Sequence, residues 1–185
     1  MGRAENCMPH AVFHIIFAIL IAELIREYFV KDKRKFPIHY VFIAGIAGAL
    51  PDLDIAAFWI LNFFGYSIEE VHRTFTHTLL VPLVFLFLGL ITWNFKNKEF
   101  GKRHMKLHTI FFMASLGVIT HLLFDATISG SVMPFYPLNK ISFGINVMQF
   151  LPLELQNLLL PCMDAGIFIM WLFWLEYKHK ISSFI

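Results

Sequence analysis

Long apolar runs separated by short charged connections organise the chain. Crossing a hydrocarbon core takes about 20 mainly apolar residues. Five segments meet or approach that requirement: residues 10–29, 38–64, 77–94, 109–128 and 158–176. Turn and charge signals fill the connections Lys31 to Pro37, Gly65 to Thr76 and Phe95 to His108, and the longer piece from Ser129 to Asn157. That last piece holds Gly130, Pro134, Pro137, Gly144 and Pro152, and it reads as a structured cap over the bundle. The pattern predicts an all-α, polytopic integral membrane bundle of about five transmembrane helices, forming a single domain over residues 1–185.

Basic residues orient the bundle. Lys31, Lys33, Arg34 and Lys35 lie in one connection, Lys96, Lys98, Lys102, Arg103 and Lys106 in another, and Lys178 and Lys180 in the tail. The opposite side has only Arg3, Arg73 and Lys140. The asymmetry predicts an N-terminus outside and a C-terminus in the cytoplasm of a cell membrane. The first apolar run lacks a small-residue cleavage site and ends in Glu23, Arg26 and Glu27, so it is expected to be a retained helix whose charges pair or snorkel at the inner interface.

Composition agrees: 58% hydrophobic residues, 22 Phe and 15% charged residues are too apolar for an ordinary soluble domain. A formal charge of +2 without a basic, aromatic-interleaved stretch argues against nucleic acid as a partner. Two cysteines, Cys7 and Cys162, provide neither a metal motif nor a disulfide framework.

Against this background a few polar residues stand out. Leu50-Pro51-Asp52-Leu53-Asp54 and His121-Leu122-Leu123-Phe124-Asp125 lie inside apolar runs, and His72-Arg73-Thr74-Phe75-Thr76-His77 opens another. Ionisable groups in membrane spans are costly and point to function, and Asp and His are metal-ligand types. At ~1.5 Å rise per residue, Asp52 and Asp54 reach the outer third of the bilayer, with His121 and Asp125 roughly 18 and 24 Å up the fourth span and Asp164 roughly 9 Å down the fifth. His10, His14 and His77 sit near the same outer level, so all five spans bring His or Asp into one layer.

Spacing adds detail. His10/His14 and His121/Asp125 are i, i+4 pairs, each presenting two groups on one helical face. Asp52 and Asp54 diverge on a helix, so one is expected to bind metal while the other caps, orients a ligand or acts as base. Thr74 or Thr76 is expected to cap a helix starting near His77, folding His72 back towards the site. A lone membrane aspartate is also a good hydrogen-bonding post between helices, and Asp164 suits that role as well as it suits ligation. His39, His104, His108 and His179 read as surface residues on the cytoplasmic side.

Taken in order, Pro9-His10-Ala11-Val12-Phe13-His14, the PDxD motif at 51–54, HRxxTH at 72–77 and HxxxD at 121–125 resemble a family of membrane-bound, metal-dependent hydrolases, the YdjM-like, LexA-regulated inner-membrane proteins. The resemblance spans nearly the whole chain and is specific as a set. Family members often carry His after PDxD and Ser after HRxxTH, where this chain has Ile55 and Thr78. The set is also similar to that of zinc-dependent phospholipase C and P1-type nucleases. The resemblance implies His121, Asp125, Asp54 and His77 as the main ligands, Asp125 as a bridge between metals, and His10 or His14 at a second metal. His72 and Asp164 complete the candidate metal set.

The expected activity is hydrolysis of a phosphoester in a lipid or lipid-linked substrate, with a divalent metal, zinc first and manganese or iron as alternatives. Asp52 is the candidate base or orienter. Arg73 is a phosphate clamp or an interface anchor. The rival class is a metal-ion transporter or metal-stabilised scaffold. A transporter needs polar residues continuing inward, and Ile38–Gly48, Leu86–Thr92, Thr109–Gly117 and Phe168–Leu175 have almost none.

Overall fold

The computed structural model describes residues 11–94, 99–100 and 105–180. Its helices are α1 (Ala11–Tyr28), α2 (His39–Gly48), α3 (Leu53–Leu61), the single-turn α4 (Ile68–Val71), α5 (Leu80–Trp93), α6 (Leu107–Phe124) and α7 (Leu153–His179). A two-stranded hairpin, β1 (Glu99–Phe100) and β2 (Met105–Lys106), precedes α6. The architecture is an all-α membrane bundle. Three stretches are long and apolar enough to cross a bilayer: His39–Phe64, Leu107–Ile128 and Leu153–His179. α5, at 14 residues, is shorter, and α1 carries Glu23, Arg26 and Glu27 in its last turns.

Pro51 interrupts the second span as expected, separating α2 from α3 at Leu50–Asp52. The third span departs from expectation. Its helix starts at Leu80, and no side chain caps it. Thr76 donates to Asp54 Oδ2 instead (2.8 Å), and Thr74 turns back to the Val71 carbonyl (2.6 Å). Residues 72–79 stay irregular because their polar groups are claimed by tertiary partners: Leu79 N, for example, donates to the Pro134 carbonyl (3.0 Å). The fifth span begins earlier than expected, at Leu153, and continues through Pro161.

α1, α2 and α6 form the centre of the bundle, and small residues set their separation. A Cβ on Gly117 would collide with the Ala44 carbonyl, and one on Gly48 would lie 2.9 Å from the His14 carbonyl oxygen. Helix association in membranes relies on such close backbone approach. Ile19, Ala22, Tyr40, Val41, Ala44 and Met113 fill the interior towards one end. At that end lie the charges: Glu27 pairs with Lys33 (2.6 Å) and Lys178 (3.4 Å), and buried Glu23 accepts from His179 Nε2 (2.8 Å). His179, expected to be an ordinary surface residue, therefore ties the end of α7 to α1. α7 otherwise packs through Met163, Ile167, Trp171 and Trp174 against Phe13, Ile16, Leu20 and Phe124, leaving most of its apolar surface outward.

The 129–152 segment is ordered as a cap. Val132 and Phe143 exchange backbone bonds (2.9 and 2.8 Å), and Ile145 N donates to the Ala126 carbonyl (2.6 Å). Gly144 permits this closure, since a Cβ there would strike the Gly130 carbonyl.

Candidate metal centre

Four parts of the chain deliver the misplaced polar residues to one point. α1 brings His14, the Pro51 break brings Asp52 and Asp54, the irregular 72–79 loop brings His72, Arg73, Thr76 and His77, and the end of α6 brings His121 and Asp125. His14, Asp54, His77, His121 and Asp125 are buried. At Asp125 the helix widens into a π-turn, Asp125–Ser129, a feature frequent at functional sites.

At the centre, two imidazoles and two carboxylates converge. His77 Nε2 and His121 Nε2 are 3.1 Å apart. Asp52 Oδ1 lies 3.7 Å from the first nitrogen and 3.6 Å from the second. Asp125 Oδ2 lies 3.4 and 3.5 Å from them. Ligand arms of 2.0–2.2 Å in tetrahedral geometry require donor separations of about 3.3–3.6 Å. The separation between the two imidazole nitrogens and the four between imidazole nitrogen and carboxylate oxygen lie close to those dimensions.

The outer edges of both rings fix which nitrogen faces inward. His121 Nδ1 donates to the Gly48 carbonyl at 2.7 Å. His77 Nδ1 faces Asp54 Oδ2 at 3.2 Å and Thr76 Oγ1 at 3.1 Å. With the proton held on Nδ1, each Nε2 lone pair points to the cluster, the arrangement that orients and strengthens a metal-binding imidazole.

The two aspartates are engaged differently. Asp54 receives His72 Nδ1 (2.9 Å), Arg73 N (3.1 Å), Thr76 Oγ1 (2.8 Å) and His77 Nδ1. Its oxygens are occupied in orienting the loop. Asp52 instead offers Oδ1 to the central set, and as the residue preceding α3 it makes no side-chain cap. Among the described residues, three groups bring one ligand atom per residue within 4.8 Å of one another: His14–Asp52–His121, Asp52–His72–His77 and His77–His121–Asp125.

His14 stacks on His121 with ring centroids 3.7 Å apart. Its Nε2 lies 3.5 Å from Asp125 Oδ1, so the two oxygens of Asp125 face different imidazoles. Both ring nitrogens of His14 and Asp52 Oδ2 are buried without hydrogen bonds. Each such atom costs about 1–3 kcal/mol when left unpaired. Three carboxylates, from Asp52, Asp54 and Asp125, face these imidazoles, with the Arg73 guanidinium beside Asp125. A divalent cation fits this donor set in chemistry, since His nitrogens and Asp oxygens are its ligand types and three of the buried atoms lack other partners.

Arg73 has left-handed backbone, φ 62°, a conformation that costs a non-glycine residue roughly 1–3 kcal/mol and clusters at functional sites. Its N–H reaches Asp54 and its Nε lies 3.7 Å from Asp125 Oδ2. Gly130 makes room, since a Cβ there would collide with the guanidinium Nη1.

Two candidates fare differently. Asp164 lies in none of the metal-holding groups among the described residues. It accepts the Phe13 N–H in the first turn of α1 (3.1 Å), so it is a post between α7 and α1. His10 and Cys7 lie outside the described residues, and Cys162 is a free, exposed thiol.

The profile of the YdjM inner membrane protein family matches residues 8–181. The chain belongs to that family. No curated protein and no solved structure matches it. Membership in the YdjM family makes the chain a membrane protein and agrees with the apolar helices; the PDxD, HRxxTH and HxxxD motifs that suggested the family are the ones that meet at the N2O2 cluster. Sequence reasoning missed three contributors in this YdjM-family chain: the Gly48 carbonyl, the Thr76 hydroxyl as a partner of His77, and Gly117, whose lack of a side chain lets α6 approach α2. Gly117 lies one turn before His121, but its contact with α2 depends on tertiary packing.

Proposed function

We propose that the cluster holds a divalent metal, most simply zinc, and that the protein is a metal-dependent hydrolase acting on phosphoesters of lipids or lipid-linked substrates. The observation that carries this reading is the N2O2 set of His77, His121, Asp52 and Asp125, with both imidazoles locked from behind. A divalent cation there supplies Lewis acidity, lowering the pKa of water to about 7 and polarising a phosphoryl oxygen.

The chain's own residues have distinct parts in this reading. His77, His121, Asp52 and Asp125 would hold the cation, and His14 would be the candidate for a second one beside Asp125. Asp52 Oδ2, buried and without a hydrogen bond, accepts a proton from the attacking water. Arg73, beside Asp125, binds phosphate oxygens by charge-assisted bonds. Asp54 and Thr76 keep His77 in the required tautomer. The distribution of basic residues between the connections supports a site on the extracytoplasmic side of the membrane.

The transporter alternative is weakened by the apolar packing of Ile19, Ala22, Tyr40, Val41, Ala44 and Met113 on the side of the cluster towards the charged end. In the test, purified protein reconstituted with zinc is assayed on phosphatidic acid and on p-nitrophenyl phosphate. Turnover is expected in wild type and is expected to fall at least a thousandfold in His121→Ala. Zinc-loaded wild type that hydrolyses neither of these monoesters nor a phosphodiester would refute the activity.

A further inference from the structure

A cavity of about 230 Å³ lies between the start of α5, the outer half of α6 and the cap, and His77 forms part of its wall. Leu79, Ile119, Leu123, Val132 and Phe143 supply other parts. Ile119 and Leu123 are one turn apart on a membrane-spanning helix and exposed, so the cavity opens sideways, towards lipid. The paired backbones of Val132 and Phe143, together with the Leu79–Pro134 bond, hold its cap side in place.

The wall is apolar except for His77, so it has nothing with which to satisfy a headgroup. Placing a polar group there without a partner would cost roughly 1–3 kcal/mol or more, whereas hydrocarbon enters without loss. The same His77 contributes Nε2 to the central N2O2 set. His77 is therefore the one side chain common to the cavity wall and the cluster.

We propose that the cavity seats the hydrocarbon tail of the substrate, drawn in laterally from the bilayer, so that the enzyme selects lipids with a long acyl or isoprenoid chain over soluble phosphoesters. This inference rests on the hydrolase reading of the same site. It also commits to the substrate's own tail as occupant and not to a bystander lipid.

Two readouts separate this inference from the hydrolase reading. Full-length, zinc-loaded protein is placed in phosphatidylglycerol vesicles containing phosphatidic acid with a mid-chain diazirine, then illuminated and mapped by mass spectrometry. Adducts on the peptide spanning Ile119 to Val132 should exceed those around Phe173 on the outward face of α7 at least fivefold. Leu123→Trp and Ile119→Trp, which fill the mouth from exposed positions, should remove that excess while retaining bound zinc. Both variants should lose at least tenfold in kcat/KM for long-chain phosphatidic acid, mainly through KM, and stay within twofold of wild type on p-nitrophenyl phosphate.

Even labelling of all outward-facing helices would overturn the cavity as a tail site. Selective labelling with unaltered long-chain kinetics in both variants would mark a bystander lipid and overturn the assignment to substrate. Wild type inactive on every phosphoester would remove the hydrolase reading and the substrate assignment with it, while the labelling would still report whether a chain enters.

Discussion

Replacing Asp54 by Asn keeps shape and removes charge, and the structure sets the size of the effect. Asp54 Oδ2 receives three donors, Arg73 N, Thr76 Oγ1 and His77 Nδ1, whereas Oδ1 receives only His72 Nδ1. An asparagine would keep its carbonyl at the Oδ2 position and turn its amide towards His72, whose ring can change tautomer to accept. The loop then survives, but His77 loses the carboxylate behind its Nδ1. Loss of such a partner typically costs about 10–100-fold in metal affinity, or about 1.4–2.7 kcal/mol. Competition against a chromogenic zinc chelator measures this directly, with Asp52→Ala as the contrast because it removes a donor from the N2O2 set. Asp54→Asn should bind stoichiometric zinc with affinity reduced by one to two decades, and Asp52→Ala should bind far more weakly. The opposite ranking, with Asp54→Asn empty and Asp52→Ala loaded, would refute the assignment and make Asp54 the ligand.

Other perturbations test the surrounding structure. Gly117→Ala places a methyl against the Ala44 carbonyl; it should lower stability by about 1–3 kcal/mol, read as a lower Tm in detergent, with zinc affinity falling too because His121 and Gly48 are displaced. An unchanged Tm would contradict the close α2–α6 contact. Asp164→Ala should cost about 0.5–2 kcal/mol, as loss of a helix-end acceptor does, and leave zinc stoichiometry intact; loss of zinc would restore Asp164 as a ligand. Arg73→Lys should retain zinc while raising KM for phosphatidic acid at least tenfold, because lysine cannot reproduce the guanidinium fork; an unchanged KM would remove Arg73 from phosphate binding. A cysteine at Ser142 in the exposed part of the cap, in a background without Cys7 and Cys162, should react with an impermeant maleimide added outside intact cells. Reaction only from the cytoplasmic side would invert the topology.

The apolar runs, the break at Pro51 and the Gly- and Pro-rich cap could all be read from the chain, because each depends on local chemistry. The HxxxD pair was equally legible, since i, i+4 spacing puts two groups on one face wherever a helix forms. The roles of Asp52 and Asp54 were not. Two residues apart at a proline break, either could turn inward, and Asp54 is engaged by four donors that all come from the 72–79 loop, distant in sequence. The late start of α5 has a related cause: Thr74 and Thr76 are good helix caps in isolation, but one bonds Val71 and the other Asp54. Asp164 had no sequence neighbour to reveal whether it met a metal or a backbone N–H. One partner, the Phe13 N–H, lies 151 positions away.

The central claim is that buried His and Asp side chains from separate helices form one metal site, and metal content tests it most directly. Protein purified without chelators, then exposed to excess zinc and desalted, is analysed by mass spectrometry for metal per chain. Wild type should retain at least one zinc, while His121→Ala and Asp125→Ala, folded by circular dichroism, retain little or none. Wild type that carries no stoichiometric metal and cannot be loaded with zinc, manganese or iron would contradict the account.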